Sequence, residues 1–224
     1  MSPLTEALAR RAVERTVADR QAEYAQEMRR IVEATYGLIE RTGSLDPSLR
    51  DILADTGLST QAFYRLFRSK DELLLVLLDD GRRRLVDYLA GRMAAVDLPT
   101  DKIRVWIEGV LAQASTPRAA ERTRPFLANE DRLSELFPVE QRESVDLLVD
   151  LLVQPLTDAG PPDAPPDASR RDAEAIYRLV FGLLHAHLIQ RTRPTSDTVG
   201  HTVRFCMQGV GLTAAGPDVA GPAR

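Results

Sequence analysis

The sequence predicts an all-α chain: an N-terminal three-helix helix-turn-helix domain followed by a larger C-terminal helical domain. Three observations carry that prediction. Apolar residues recur at helical spacing along nearly the whole length. No alternating apolar/polar run flanked by hairpin turns is present. Two short helical runs are separated by Gly57-Leu58-Ser59, a three-residue turn with glycine first.

Residues 1–18 read as a charged, Ala/Arg-rich extension, a short helix capped by Ser2 with Pro3 at its first position. The next helix spans about Asp19 to Thr42, where Met28, Ile31, Val32, Thr35, Leu38 and Ile39 form one apolar face. Gly43 ends it in a left-handed conformation. Asp46-Pro47 reads as a start signal for the second helix, Pro47 to about Thr56. Gly57 stops that helix, Leu58 plugs the angle, and Ser59 caps the third helix, Ser59 to Phe67. The inward face of the pair is expected to be Ile52, Leu53, Phe63, Leu66 and Phe67. Ser69 and Glu72 form a capping box that opens a long fourth helix to Met93, closed by Asp97-Leu98-Pro99.

Five further helices are predicted over about 101–115, 117–130, 138–158, 168–192 and 195–212. Pro155 is expected to kink the third of these. Gly160–Asp167, with four prolines, is too short and stiff for a domain boundary and reads as a helix–helix connection. The Gly/Ala/Pro-rich residues 213–224 are expected to be a disordered tail. The predicted domains are therefore 1–18, 19–70, 71–212 and the tail 213–224.

Bulk chemistry narrows the function classes. No run approaches the roughly 18 apolar residues that cross a bilayer, and the charged N-terminus is no secretory signal. A cytoplasmic protein without membrane association is expected. Cys206 is the single cysteine, so no internal disulfide framework or Cys-rich zinc site is available. Cys206 reads as a small buried apolar residue rather than a redox sensor, for which cationic neighbours on its own face would be wanted. His185 and His187 are two apart on a helix and face different ways, so no metal is expected, and no cofactor either. There is no glycine-rich phosphate loop, nucleophile elbow or metal-ligand spacing, so the chain is not expected to be an enzyme. The net charge of −4 argues against nucleic acid as a partner. Its distribution softens the objection: residues 1–70 hold eleven Arg/Lys against ten Asp/Glu, and the acidic excess lies further on.

The stretch Asp51–Leu73 resembles the signature of the TetR (tetracycline-repressor-like) family of transcriptional regulators. Gly57, Ser59, Tyr64, Phe67, Lys70 and Leu73 fall at the family's spacing. Two departures are visible: Leu53 and Thr56 stand where the family usually has alanine, and Gly43-Ser44-Leu45 replaces its Gly-Phe pair, with Leu45 as the core substitute. The resemblance is specific over about residues 24–75 and architectural beyond.

The resemblance implies a homodimer that binds a palindromic double-stranded DNA operator and is released by a small-molecule effector, with repression as the family's default. The implied DNA-contacting set is Ser48, Arg50, Ser59, Thr60, Gln61, Tyr64, Arg65 and Lys70. Thr60 and Gln61 would read base edges, glutamine being suited to adenine N6/N7. Tyr64 and Lys70 would take phosphates, Lys70 where a helix N-terminus also favours an anion. Ser48 and Arg50 would touch phosphates from the second helix, with Arg65 and Arg68 flanking the groove. The last two helices would pair with their copies, small residues Gly200, Cys206, Gly209 and Gly211 permitting close approach.

Competing readings stand beside these. Tyr64 also fits a core aromatic, and Lys70 a solvated lysine. Arg10, Arg11, Arg15 and Arg20 fit either a minor-groove arm or a solvated face, since Glu6, Glu14 and Asp19 interleave them. Trp106, Phe126, Phe137, Tyr177, Phe181 and His185 either line an effector pocket or fill the bundle. An apolar small organic effector is expected, because charge is sparse on the predicted inner faces. The alternative for the whole chain is a helical interaction protein on the same scaffold without sequence-specific DNA binding.

Overall fold

The computed structural model describes residues 3–44 and 46–212, the side chains at positions 3, 4, 7, 9, 122 and 125–128 excepted. The described residues are helical with no strand. In order the helices are α1 (Pro3–Thr42), α2 (Leu49–Thr56), α3 (Thr60–Leu66), α4 (Lys70–Met93) and α5 (Pro99–Leu111). A 3-10 turn at Ala112–Ala114 follows, then α6 (Pro117–Leu136), α7 (Pro138–Ala159), α8 (Ala168–Gln190) and α9 (Ser196–Gly209). The chain divides into two compact units, one ending at Leu77 and one beginning at Leu78. The Ser2 cap, the Leu45 core position and the tail from 213 lie outside the described residues.

In the first unit, the expected extension and first helix are one continuous helix, α1, of 40 residues and about 60 Å. The reason is compositional: no glycine or proline stands between Leu4 and Tyr36, and Ala, Arg and Glu favour helix. Every described side chain from Thr5 to Gln26 is exposed; burial starts at Glu27 and Met28 and is complete at Ile31, Val32, Thr35, Tyr36, Leu38 and Ile39. Gly43 then adopts φ 66°, the predicted left-handed stop.

The second helix starts two residues later than expected. Ser48, not Asp46, is the cap of α2: its Oγ accepts from the Asp51 backbone N–H at 3.2 Å and donates to Asp51 Oδ2 at 2.6 Å. A serine followed three residues on by an acid satisfies two groups at once, and Pro47 is buried instead of opening the helix.

The core of this unit is Ile31, Val32, Tyr36, Leu38 and Ile39 of α1, Ile52 of α2, Phe63 of α3 with Phe67 after it, and Leu73, Leu74 and Leu77 of α4. Leu53 and Leu66, expected inside, are half-buried. The Tyr36 hydroxyl donates to the Leu77 carbonyl at 2.7 Å, so burying this tyrosine leaves no unsatisfied O–H, a defect that would cost about 1–3 kcal/mol.

In the second unit, α5, α7, α8 and α9 surround a core that contains Leu89, Ile103, Trp106, Ile107, Leu111, Leu148, Leu152, Val180, Leu184 and Met207. The Trp106 indole N–H donates to the Leu148 carbonyl at 3.2 Å. Two ends differ from expectation for local reasons. α5 begins at Pro99, which needs no N–H partner at a first helical position. α6 runs to Leu136 rather than 130, because no breaker appears until Phe137, which Pro138 pushes out of helical geometry. α7 continues through the buried Pro155 to Ala159. α8 ends at Gln190 with Arg191 left-handed at φ 55°, and α9 carries the buried Cys206.

Candidate nucleic-acid interface

The first unit builds its exposed face from the inside out. Gly57, at φ 68°, ends α2, and half-buried Leu58 follows it. Ser59 then caps α3, its Oγ accepting from the Ala62 N–H at 3.1 Å. On α3, Phe63 is wholly buried and lies 5.4 Å, ring centre to ring centre, from Phe67. With that side fixed inward, helical geometry turns Thr60, Gln61, Tyr64 and Arg65 outward, and all four are exposed. Tyr64 is 53% exposed; its ring meets Phe63 edge-on at 5.4 Å, which orients it without burying the hydroxyl. The core-aromatic reading therefore fits Phe63 and not Tyr64.

At the start of α4, Ser69 Oγ accepts from the Glu72 N–H at 3.1 Å. The reciprocal bond departs from the expected box: the Glu72 carboxylate accepts from the Arg68 N–H, one residue earlier than the cap. Lys70, the first residue of α4, is half-buried.

Two of the predicted cations are already engaged. Lys70 Nζ donates to Asp46 Oδ1 at 2.7 Å. Arg65 Nη2 reaches both oxygens of Glu27 on α1, at 3.1 and 2.9 Å, and its guanidinium lies 5.9 Å from the centre of the Tyr24 ring. Arg65 thus ties α3 to α1. Arg41 pairs with Asp55 in the same way between α1 and α2. Arg50 and Arg68 are exposed and make no ion pair among the described residues. Ser48, exposed, spends its hydroxyl on the α2 cap.

Sequence patterning does not mark Asp46 or Glu27 as partners of these cations. Asp46 carries a signal of its own, an acid just ahead of a helix, but that signal points to capping. Glu27 meets Arg65 only because α3 packs across α1 at 38 residues' separation.

In the second unit, three of the predicted pocket aromatics come together. Tyr177 and Phe181 on α8 stack at 4.3 Å, and Phe181 is 6.4 Å from Trp106. Phe137 is half-buried where α6 meets α7, and His185 is half-buried on α8. The Phe126 side chain lies outside the described residues. His187 Nδ1 is 2.8 Å from the Thr192 hydroxyl, and His201 is exposed beside Phe205. No group of three His, Cys, Asp or Glu among the described residues is placed to hold a metal ion, and no described helix is long and apolar enough to cross a membrane. Cys206 is 4% exposed, and burial pushes its thiol up to about 11.

Residues 31–77 match the sequence family described as bacterial regulatory proteins, tetR family. The chain is 25% identical over 197 residues to the HTH-type transcriptional regulator PksA of Bacillus subtilis (strain 168), covering 84% of this chain and 94% of that one. Among solved structures it resembles a TetR transcriptional regulator from Rhodococcus sp. RHA1, with a TM-score of 0.63 at 16% identity over 83% of this chain and 96% of that one. It also resembles the regulator FadR from Bacillus subtilis, solved in complex with stearoyl-CoA, with a TM-score of 0.57 at 14% identity over 80% and 97% of the two chains. The match at residues 31–77 falls on the helix-turn-helix, so that segment is similar to the tetR family of bacterial regulatory proteins, and PksA aligns along most of the chain.

Proposed function

We propose that this chain is a homodimeric repressor that binds a palindromic operator through α3 and the start of α4, and that a small effector held in the second unit releases it. The observation that carries the reading is the division of α3: Phe63 is buried while Thr60, Gln61 and Tyr64 stand exposed on a capped helix. Such a helix fits the major groove, with Thr60 and Gln61 at its N-terminal end for base edges and Tyr64 for the backbone. Lys70, Arg50 and Arg68 add phosphate contacts, and Ser48 and Ser59 sit at helix N-termini where backbone N–H groups favour an anion. Arg65 contributes mainly by holding α3 on α1.

The dimer reading rests on α8 and α9. Ala175, Gly182, Ala186 and Ile189 of α8 are all exposed at three- to seven-residue steps, and Ile189 and Phe205 are 64% and 57% exposed. A face of small and apolar residues turned to solvent is what a second copy would cover. Cys206 does not belong to this face, since it points into its own unit's core; Gly209 is exposed with open space around it. The effector reading is supported by the aromatic group Trp106, Tyr177 and Phe181, and by FadR, which shares the fold and was solved with stearoyl-CoA. The α4 helix opens at Lys70 and carries on into the second unit, a continuous covalent link for an effector's influence.

The test is selection of genomic DNA fragments by the purified protein and by Lys70→Ala and Tyr64→Phe. The reading expects a palindrome enriched by the wild type and lost in the Lys70 variant. Absence of any enrichment at low salt would sink it in favour of an interaction protein on the same scaffold. Light scattering of Ile189→Glu tests the dimer, which should dissociate.

A further inference from the structure

The second unit buries a set of polar groups that its own packing leaves incomplete. Arg82, on α4, is 6% exposed. Its Nη1 donates to Gln141 Oε1 at 2.5 Å and its Nη2 to Glu130 Oε1 at 2.8 Å. A guanidinium has donors only, so the amide oxygen of Gln141 must be the end that faces it. The amide nitrogen is thereby the end left over. Gln141 Nε2 has no hydrogen-bond partner, and neither has Ser144 Oγ, although the two residues are only 5% and 3% exposed. They stand three apart on α7 and so share a face.

A third group belongs with them. Leu148, one turn beyond Ser144 on α7, accepts from the Trp106 indole, and Trp106 lies 6.4 Å from Phe181, on which Tyr177 stacks. Burial pushes the Tyr177 phenol up to about 12, with Arg82 pulling it down and Glu130 pushing it up. The phenol stays a neutral donor, and it has no hydrogen-bond partner among the described residues. Its ring stacks on Phe181, beside Trp106, so these donors adjoin an aromatic wall.

Native interiors leave few buried polar groups unpaired, and each that remains needs an explanation. Here the unpaired groups share one chemistry: an amide N–H, a hydroxyl and a phenol are all able to donate. The charge of Arg82 is already matched by Glu130, so the cluster has no strong demand for a full negative charge. What completes it is an acceptor oxygen on an otherwise apolar body.

We propose that Gln141, Ser144 and Tyr177, held in place by the Arg82–Glu130 pair, form the polar end of the effector site and bind a carbonyl or carboxylate oxygen of a small organic molecule whose apolar body lies against Tyr177, Phe181 and Trp106. That this ligand acts as an effector rests on the regulatory reading above; the site and its chemical class do not. The apolar effector expected from the sequence thus gains a defined polar end.

The experiment is a thermal-shift and calorimetric screen of the full chain. Its probes are carboxylates, ketones and primary amines on matched linear, phenyl and naphthyl bodies, applied to wild type, Ser144→Ala and Tyr177→Phe. Neither substitution touches the Arg82 pair. The expected result is that ketones or carboxylates raise the Tm and amines do not. Each variant should bind the same probe about five- to tenfold more weakly, as expected for removal of one buried hydrogen bond, while ligand-free Ser144→Ala melts at or above the wild-type Tm. Stabilisation by amines as readily as by ketones, affinity unchanged in both variants, or no acceptor-ended probe binding at all would overturn the assignment. So would a ligand-free Ser144→Ala that melts well below wild type, the mark of a hydroxyl satisfied by structural water. Adding the binding probes to the DNA complex separates the two ideas. A probe that binds through Ser144 yet leaves DNA bound refutes release by this ligand class and leaves the site standing. A compound that releases DNA while binding both variants as tightly as wild type supports regulation and refutes the site.

Discussion

Replacing Asp46 by asparagine should strengthen DNA binding. In the unbound chain Lys70 Nζ sits 2.7 Å from Asp46 Oδ1, with the side chains 25% and 45% exposed. Pairs this exposed contribute about 0.2–1 kcal/mol to stability, so the fold is little weakened when the charge is removed. The asparagine amide oxygen still accepts from the ammonium, and the α2 cap is untouched because Ser48 makes it. When a phosphate reaches Lys70, the Asp46 carboxylate becomes its unwanted neighbour. Two like charges about 6 Å apart repel by roughly 0.7–2.8 kcal/mol for effective dielectrics of 80 to 20, and physiological salt with a Debye length of about 8 Å roughly halves that. A net gain of about 0.5–1 kcal/mol per protomer follows, or a two- to fivefold lower Kd, taking RT as about 0.59 kcal/mol. Fluorescence anisotropy of a labelled duplex across a salt series would measure it. Lys70→Ala should weaken binding and reduce the slope of log K against log salt by about 0.9, since one phosphate fewer is neutralised. In the Lys70→Ala background the Asp46→Asn gain should shrink. If Asp46→Asn is folded and binds no better, or gains as much without Lys70 as with it, the placement of Lys70 against phosphate is wrong.

Gly57→Ala should destabilise the first unit by about 1–2 kcal/mol, the cost of a left-handed residue with a Cβ; no atom lies within 4 Å of the new methyl group, so the effect is one of backbone alone, read as a lower Tm. Arg191→Gly should do the reverse, adding about 0.5–1 kcal/mol at an exposed left-handed position after α8, and a denaturant midpoint that falls instead would show that the Arg191 side chain matters. Cys206 should resist alkylation at pH 8 in the folded chain and react on unfolding, as followed by mass spectrometry, because burial raises its thiol from 9.0 to about 11. The sign for stability follows from the same shift. A group that holds its proton more tightly when folded contributes fully below pH 9 and loses that contribution as pH rises towards 11, so Tm should fall across that window less steeply in Cys206→Ala.

Much of the fold is legible because its signals are local. Gly57 with Ser59, Ser69 ahead of α4, and Pro117 each announce a helix end locally, and each of those ends stands where expected. The start of α2 differs from expectation although its signal is equally local: Ser48 and Asp51 form a capping pair, but Asp46-Pro47 offers a competing start two residues earlier. The unity of α1 is visible too, in the lack of any breaker from Leu4 to Tyr36. What the sequence does not disclose is non-local. Arg82 meets Gln141 across 59 residues and Glu130 across 48, and no periodicity marks a glutamine on an inward helix face as a ligand donor. Sparse charge on the inner faces therefore suggests an apolar effector, whereas the polarity that matters there is carried by uncharged groups.

The same distinction between a charge and its setting bears on the strongest objection the sequence raises, the near-neutral balance of residues 1–70. Counting charges treats each acid as an opponent of DNA. In the folded unit, Glu27 holds Arg65 and Asp55 holds Arg41, each pair tying α1 to one helix of the helix-turn-helix. Acids used this way orient α2 and α3, and the field they subtract is that of the cation they face. Of the cations outside such pairs, Arg50 and Arg68 flank the exposed residues of α3 in sequence, and Lys70 follows them with a carboxylate that one substitution removes. Long-range steering of DNA by such a unit is weak, because the summed charge is small. Under the function proposed above, binding then depends on short-range fit: hydrogen bonds from Thr60, Gln61 and Tyr64 on a helix that the ion pairs tie to α1. A regulator built this way gains specificity relative to non-specific affinity, since the sequence-independent share of binding grows with the number of phosphates neutralised, and each ion pair at Arg41, Arg65 and Lys70 takes one cation out of that share.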